Sequence, residues 1–151
     1  MEKKKELLEE AIKLELNMSD LYLFYSNNFK EDREFWQQMA GEEKEHASLL
    51  EMAEDFLNFG SDINDIIYTN LDELKEVNKN IKDTIEKFKK NLPSKEDAYK
   101  YAIEQEESAY ELHYQKLMTG NPGSKTIETL QELNVDDKNH AERISKLLTP
   151  K

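Results

Sequence analysis

The chain has no cysteine, only 4 glycines, 3 prolines and 1 tryptophan in 151 residues, and no long apolar run. Without thiols there is no disulfide, no thiolate nucleophile, no zinc knuckle and no sulfur-ligated iron. The missing disulfides fit a reducing compartment, and a cytoplasmic setting is the expectation. Met1 to Glu6 lead into an amphipathic helix and not an apolar signal core. No run approaches the roughly 18 apolar residues of a membrane span, so no membrane partner is expected. Cations are also in deficit: 21 Lys and Arg face 33 Asp and Glu, for a net charge of −12. A nucleic-acid partner would need clustered cations against its phosphates, so that class is set aside.

What remains is a helical chain. Apolar residues recur at helical spacing over five segments, with stop signals between them and no competing strand-like alternation. The first segment is expected over about 3–27, the second over about 31–58, ending at Gly60-Ser61. A third, about 70–91, carries Leu71, Leu74, Val77, Ile81, Ile85 and Phe88 on one stripe. Ser94, with Asp97 three residues on, reads as the N-cap of a fourth segment running to Met118. Gly120-Asn121-Pro122-Gly123 is a turn, and the last segment runs from about Lys125 to Leu148.

Four of the stripes carry the functional signal. In the first segment the inward positions are Leu8, Ala11, Glu15, Met18, Tyr22, Tyr25 and Phe29. In the second they are Trp36, Met39, Glu43, His46, Leu50, Ala53 and Leu57. The fourth has Tyr99, Ala102, Glu106, Ala109, His113 and Leu117, and the last Leu130, Leu133, Asp137, His140, Ile144 and Leu147. Each apolar stripe is broken near its middle by a carboxylate, and in two of them a histidine follows three residues later. Burying a lone carboxylate costs several kcal/mol, so four facing one core need a common partner.

The pattern occurs twice. Ala11-Ile12-Lys13-Leu14-Glu15 pairs with Ala102-Ile103-Glu104-Gln105-Glu106, and Glu43-Lys44-Glu45-His46-Ala47 with Asp137-Lys138-Asn139-His140-Ala141. Each half is a helical hairpin with one carboxylate on its first helix and carboxylate-x-x-His on its second. A crossover helix of roughly 20 residues, rising about 1.5 Å per residue, is long enough to invert the second hairpin against the first. Inverted copies share a site only at mid-height, which is where Glu15, Glu43, His46, Glu106, Asp137 and His140 fall. These six are the candidate metal ligands, and they belong to an all-α bundle read as a single domain over 1–151. Its parts are a hairpin at 3–58, a crossover helix at about 70–91 and a hairpin at 94–148.

This arrangement resembles the ferritin-like di-iron carboxylate proteins, especially their rubrerythrin-like branch, in which two helices each give a Glu and two give Glu-x-x-His. The resemblance implies a ferritin-like four-helix bundle holding two iron ions, with manganese or zinc also suited to such oxygen and nitrogen ligands. It implies bridging by Glu43 and Asp137, with Glu15, Glu106, His46 and His140 as terminal ligands, and a homodimer. It departs from the family pattern at Asp137, where the family has Glu, and at Ala109, where peroxide-reducing members carry a further Glu. Having no cysteine, the chain would take electrons from a separate donor. The expected activity is reduction of hydrogen peroxide or O₂ coupled to iron oxidation. A non-catalytic iron store and a metal-free helical interaction module are the alternatives.

Some neighbours carry readings of their own. Tyr22, two turns beyond Glu15, is a phenol that hydrogen-bonds a ligand, a catalytic ring that acts in one-electron chemistry, or one more core ring. His113, at the matching repeat position, is a core histidine, a donor behind the ligands or an extra ligand. Tyr25, Tyr110 and Tyr114 read as core residues with one wet end. Glu42, Asp136, Glu104 and Glu107 are expected on the solvated surface.

Overall fold

A computed structural model describes residues 2–57, 71–107 and 140–149 of the chain. Its described residues form helices and no strand. Helix α1 spans Glu2–Asn28, and its Leu, Glu and Lys content is what a long helix favours. It ends where Phe29 leaves the helical region, with φ −119° and ψ 75°, and a short 3₁₀ turn, Lys30–Asp32, reverses the chain into α2, Arg33–Leu57. Helix α3 spans Leu71–Lys90, with Asp72 and Glu73 in its first turn and three lysines in its last, charges that oppose the helix dipole at both ends. Ser94 caps α4, Lys95–Glu106, its hydroxyl accepting from the Asp97 amide at 3.1 Å, as its spacing to Asp97 predicts. Helix α5 covers His140–Leu148. The predicted stretches beyond Glu107 and before His140 lie outside the described residues.

The stripes point inward as their periodicity requires. Leu8, Met18, Tyr22 and Tyr25 of α1, Trp36, Met39 and Leu50 of α2, Tyr99 and Ala102 of α4 and Ile144 of α5 are all buried. Trp36 stands at the centre of an aromatic cluster, its ring centroid 5.1 Å from Tyr22, 5.0 Å from Tyr25 and 4.9 Å from Tyr99. Large flat side chains fill the end of the core next to the short α1–α2 connection, where they bury the most apolar area per residue. No described helix is long and apolar enough to cross a membrane.

The crossover helix packs on the bundle. Leu74, Ile81 and Ile85 of α3 are buried, and Phe88 stacks on Phe24 of α1 and meets Tyr101 of α4 edge-on. One position in the α3 stripe is polar. Asn78 accepts from Asn17 Nδ2 at 3.0 Å and donates to the Glu10 carbonyl at 3.0 Å and to Glu10 Oε2 at 2.9 Å. Sliding α3 by one turn along α1 would leave these buried amides unpaired, so the asparagine sets the register of the crossover helix. Replacing Asn78 by Ala should cost about 1–3 kcal/mol, the penalty for stranding buried polar partners. Replacing its exposed neighbour Lys79 by Ala should change stability by no more than about 0.5 kcal/mol. Urea unfolding of the two variants measures this, and equal losses would contradict the register role.

Candidate metal centre

Four helices bring acid and imidazole side chains to one depth in the core. Glu15 from α1, Glu43 and His46 from α2, Glu106 from α4 and His140 from α5 are each 5% exposed or less. Two groups of three potential ligands form among them, Glu15–Glu43–His46 and Glu43–Glu106–His140, the ligand atoms within each lying inside 4.8 Å of one another. Glu43 belongs to both. The two imidazoles stack nearly parallel, centroids 5.4 Å apart at 10°. Both turn Nδ1 toward the acids. His46 Nδ1 lies 3.5 Å from Glu15 Oε2 and 3.5 Å from Glu43 Oε2, and His140 Nδ1 lies 2.7 Å from Glu43 Oε1 and 3.2 Å from Glu106 Oε1. Asp137 and His113 lie outside the described residues. Glu107, next to Glu106, is exposed, as is Glu104, so the inward register of α4 falls on Glu106.

These acids are under electrostatic pressure. Burial drives the Glu15 carboxyl well above its ordinary range, and the neighbouring Glu43 charge adds to it. Burial and the Glu106 charge push Glu43 up to about 7. Glu106 is also penalised by burial, but the hydrogen bond and charge of His140 and the Tyr22 hydroxyl outweigh this and hold it below its ordinary value. Burial favours neutral His140, yet its contacts with Glu106, Glu42 and Glu43 keep it protonated far above the usual imidazole range. Protons thus do here what a cation would do: they make a crowd of buried acids tolerable.

The donor set fits divalent metal. Glu15 Oε2, Glu43 Oε2 and Glu106 Oε2 are buried and accept no hydrogen bond from a described residue. Oxygen atoms of this kind, stripped of water and left without donors, cost several kcal/mol unless something positive meets them. Carboxylate oxygens joined by two imidazole nitrogens are the ligands that iron, manganese and zinc accept.

Two side chains fix this set from behind. Tyr22 donates its hydroxyl to Glu106 Oε1, bridging α1 and α4, which is the hydrogen-bonding alternative for that residue. Glu42 corrects an expectation. It is not solvated surface but only 7% exposed, accepting from Arg143 Nη1 at 2.7 Å and Nη2 at 3.0 Å, with His140 Nε2 at 3.1 Å. Arg143 also lies over the Phe35 ring, 5.9 Å from its centroid. Burial works against the Glu42 charge, but His140 and Arg143 overcome it and lower its carboxyl to about 2. A fixed carboxylate on Nε2 leaves Nδ1 of His140 to face the acids, the arrangement that orients a metal-binding imidazole. Glu42 lies one position round the helix from Glu43, so stripe reasoning turns it outward. The available signal was Arg143, one turn past His140 and ready to pair across helices.

A family model described as Rubrerythrin matches residues 6–148 of the chain. No curated protein and no solved structure matches it.

The sign of the pH dependence follows from these shifts. Glu15 and Glu43 have raised values, so the folded protein holds protons that the unfolded chain releases above about 4.5. His140 acts in the same direction above 6.5. The lowered groups, Glu42 and Glu106, act only below 4.5. The metal-free protein should therefore lose melting temperature steadily from about pH 5 to about pH 8, while the rise on adding divalent metal grows over the same range. Differential scanning calorimetry with and without metal checks this. A pH-independent rise would mean that these acids are not the ones relieved.

Proposed function

The chain belongs to the rubrerythrin family, and on that premise we propose that it is a di-iron oxidoreductase that reduces hydrogen peroxide or O₂ with coupled oxidation of iron. The observation that carries the reading is the pair of buried ligand groups meeting at Glu43. In this reading Glu15, Glu43, His46, Glu106 and His140, with Asp137 from the last helix, would hold the two irons. Two reduced irons at one place supply the two electrons that splitting peroxide into two waters consumes, with two protons taken up.

The protein's own groups set the conditions for that reaction. Met18, Tyr22, Ala102 and Ile144, one or two turns from the ligands on the same helices, are buried, and dry surroundings strengthen every charge interaction inside. Glu42 and Arg143 hold the His140 ring, and Tyr22 holds one oxygen of Glu106, so the ligands need little rearrangement to take up metal. Electrons for repeated turnover come from a separate donor, and the working unit is a homodimer.

Anaerobic titration with Fe²⁺ should saturate at two ions per chain. With iron at about a hundred times its Kd each site adds about 2.7 kcal/mol, so two add about 5.4 kcal/mol, or roughly 10–20 °C in melting temperature for a domain of this size. Glu43→Ala should abolish both the stoichiometry and the rise. Peroxide added with a reductant should then be consumed over many turnovers. Uptake and a single oxidation without turnover would support an iron store instead, and no uptake at all would leave a metal-free helical module.

A further inference from the structure

The aromatic cluster beside the centre has an order to it. Tyr22, whose hydroxyl is donated to Glu106, stands 5.1 Å from Trp36, and Trp36 stands 4.9 Å from Tyr99, centroid to centroid. All three side chains are fully buried. Tyr99 donates its hydroxyl to Asp32 Oδ2 at 2.7 Å, and Asp32 pairs at 2.9 Å with Lys95, which is 34% exposed and lies over the Tyr99 ring. A continuous series of rings therefore runs from a candidate ligand to Tyr99, whose partner Asp32 and neighbour Lys95 reach the surface at the start of α4. We propose that Tyr22, Trp36 and Tyr99 form a one-electron relay between the metal centre and an exterior donor that docks near Asp32 and Lys95.

The hydrogen bonds make these particular rings suitable. A phenol gives up an electron readily only when its proton has somewhere to go. Tyr22 and Tyr99 each donate to a carboxylate, which takes the proton on oxidation and returns it on reduction. Trp36, between them, can pass an electron as an indole cation that keeps its proton. Tyr25 marks the contrast. It touches Trp36 at 5.0 Å and Tyr99 at 5.9 Å, but donates to the Ala98 carbonyl at 2.5 Å, and an amide oxygen is too weak a base to accept that proton. The relay therefore bypasses Tyr25, although that ring stands about as near Trp36 as the two it uses.

The inference rests on the oxidoreductase reading and adds a task to it. Splitting peroxide into two waters takes two electrons and two protons. Were an occupied centre one electron short, Tyr22 would give the second, its proton passing to Glu106. Trp36 then reduces Tyr22, which takes its proton back, and Tyr99 reduces Trp36, its own proton passing to Asp32. A reduced one-electron carrier at the surface finally restores Tyr99. One donor molecule is oxidised by one electron, and no ring is left altered.

The test uses the full chain loaded with excess Zn²⁺, which is redox-silent, so that it reads the relay apart from any iron chemistry. A photo-oxidant of the ruthenium bipyridyl type is attached at Glu96→Cys, an exposed site beside Tyr99 and the only thiol in the protein. Trp36 is the only tryptophan, so its radical absorption is unambiguous. A flash should produce the indole radical, which then decays as a tyrosine radical grows. Tyr22→Phe should lengthen the indole radical's life severalfold, and Tyr99→Phe should cut its yield severalfold. Tyr25→Phe, and Phe29→Leu as a packing control in the same cluster, should leave both unchanged. Absence of the indole signal, or the same decay with and without the Tyr22 hydroxyl, would overturn the relay. If the relay works while iron-loaded protein shows no peroxide turnover, the oxidoreductase reading fails and conduction stands. If turnover is normal while the relay is silent, the relay alone fails.

Discussion

The fold is organised around an electrostatic problem placed at its centre. Glu15, Glu43 and Glu106 share one dry space, and each ion there costs several kcal/mol to desolvate. Against a net stability of about 5–15 kcal/mol, three uncompensated charges would unfold a domain of this kind. Every feature near the site answers that problem in part. His140 stays protonated against Glu43 and Glu106, Glu15 and Glu43 take up protons above their ordinary range, and Tyr22 donates to Glu106. The compensation is incomplete, since one oxygen of each acid accepts no hydrogen bond from a described residue. Cations held there would remove the remaining cost, which would link metal uptake to folding stability.

The rest of the structure holds this site in place. The aromatic cluster stiffens one end of the bundle around Trp36, and the Asn17–Asn78–Glu10 network pins the crossover helix to α1. Glu42 links α2 to α5 through Arg143 while seating the His140 ring, so one carboxylate serves both packing and orientation. Its charge is satisfied on both sides, which is why a buried acid there is stable where the acids facing inward are not.

Much of this was legible in the sequence, for reasons that can be named. Period 3.6 put Glu15, Glu43, His46, Glu106 and His140 on stripes whose other members had to be buried, so their depth followed from the company they keep. Ser94 announced its helix because a hydroxyl three residues before an amide leaves little other use for it. Glu42 was not legible, because a stripe marks the face toward the bundle axis and says little about flanking positions that pack against the next helix. The pairing of Tyr99 with Asp32 was equally hidden, since it joins residues far apart in the chain through a turn whose shape no local pattern dictates. The family model spans residues 6–148, the stretch that holds all four stripes.

In the proposed centre cations would take the place of protons among the buried acids, on either side of Glu43. Anomalous diffraction at the iron edge from crystals grown anaerobically with Fe²⁺ tests it most directly. The account predicts two strong peaks inside the bundle, one against Glu15 and His46, the other against Glu106 and His140, both within bonding distance of Glu43. Peaks confined to surface carboxylates, with the interior acids still sharing protons, would contradict it.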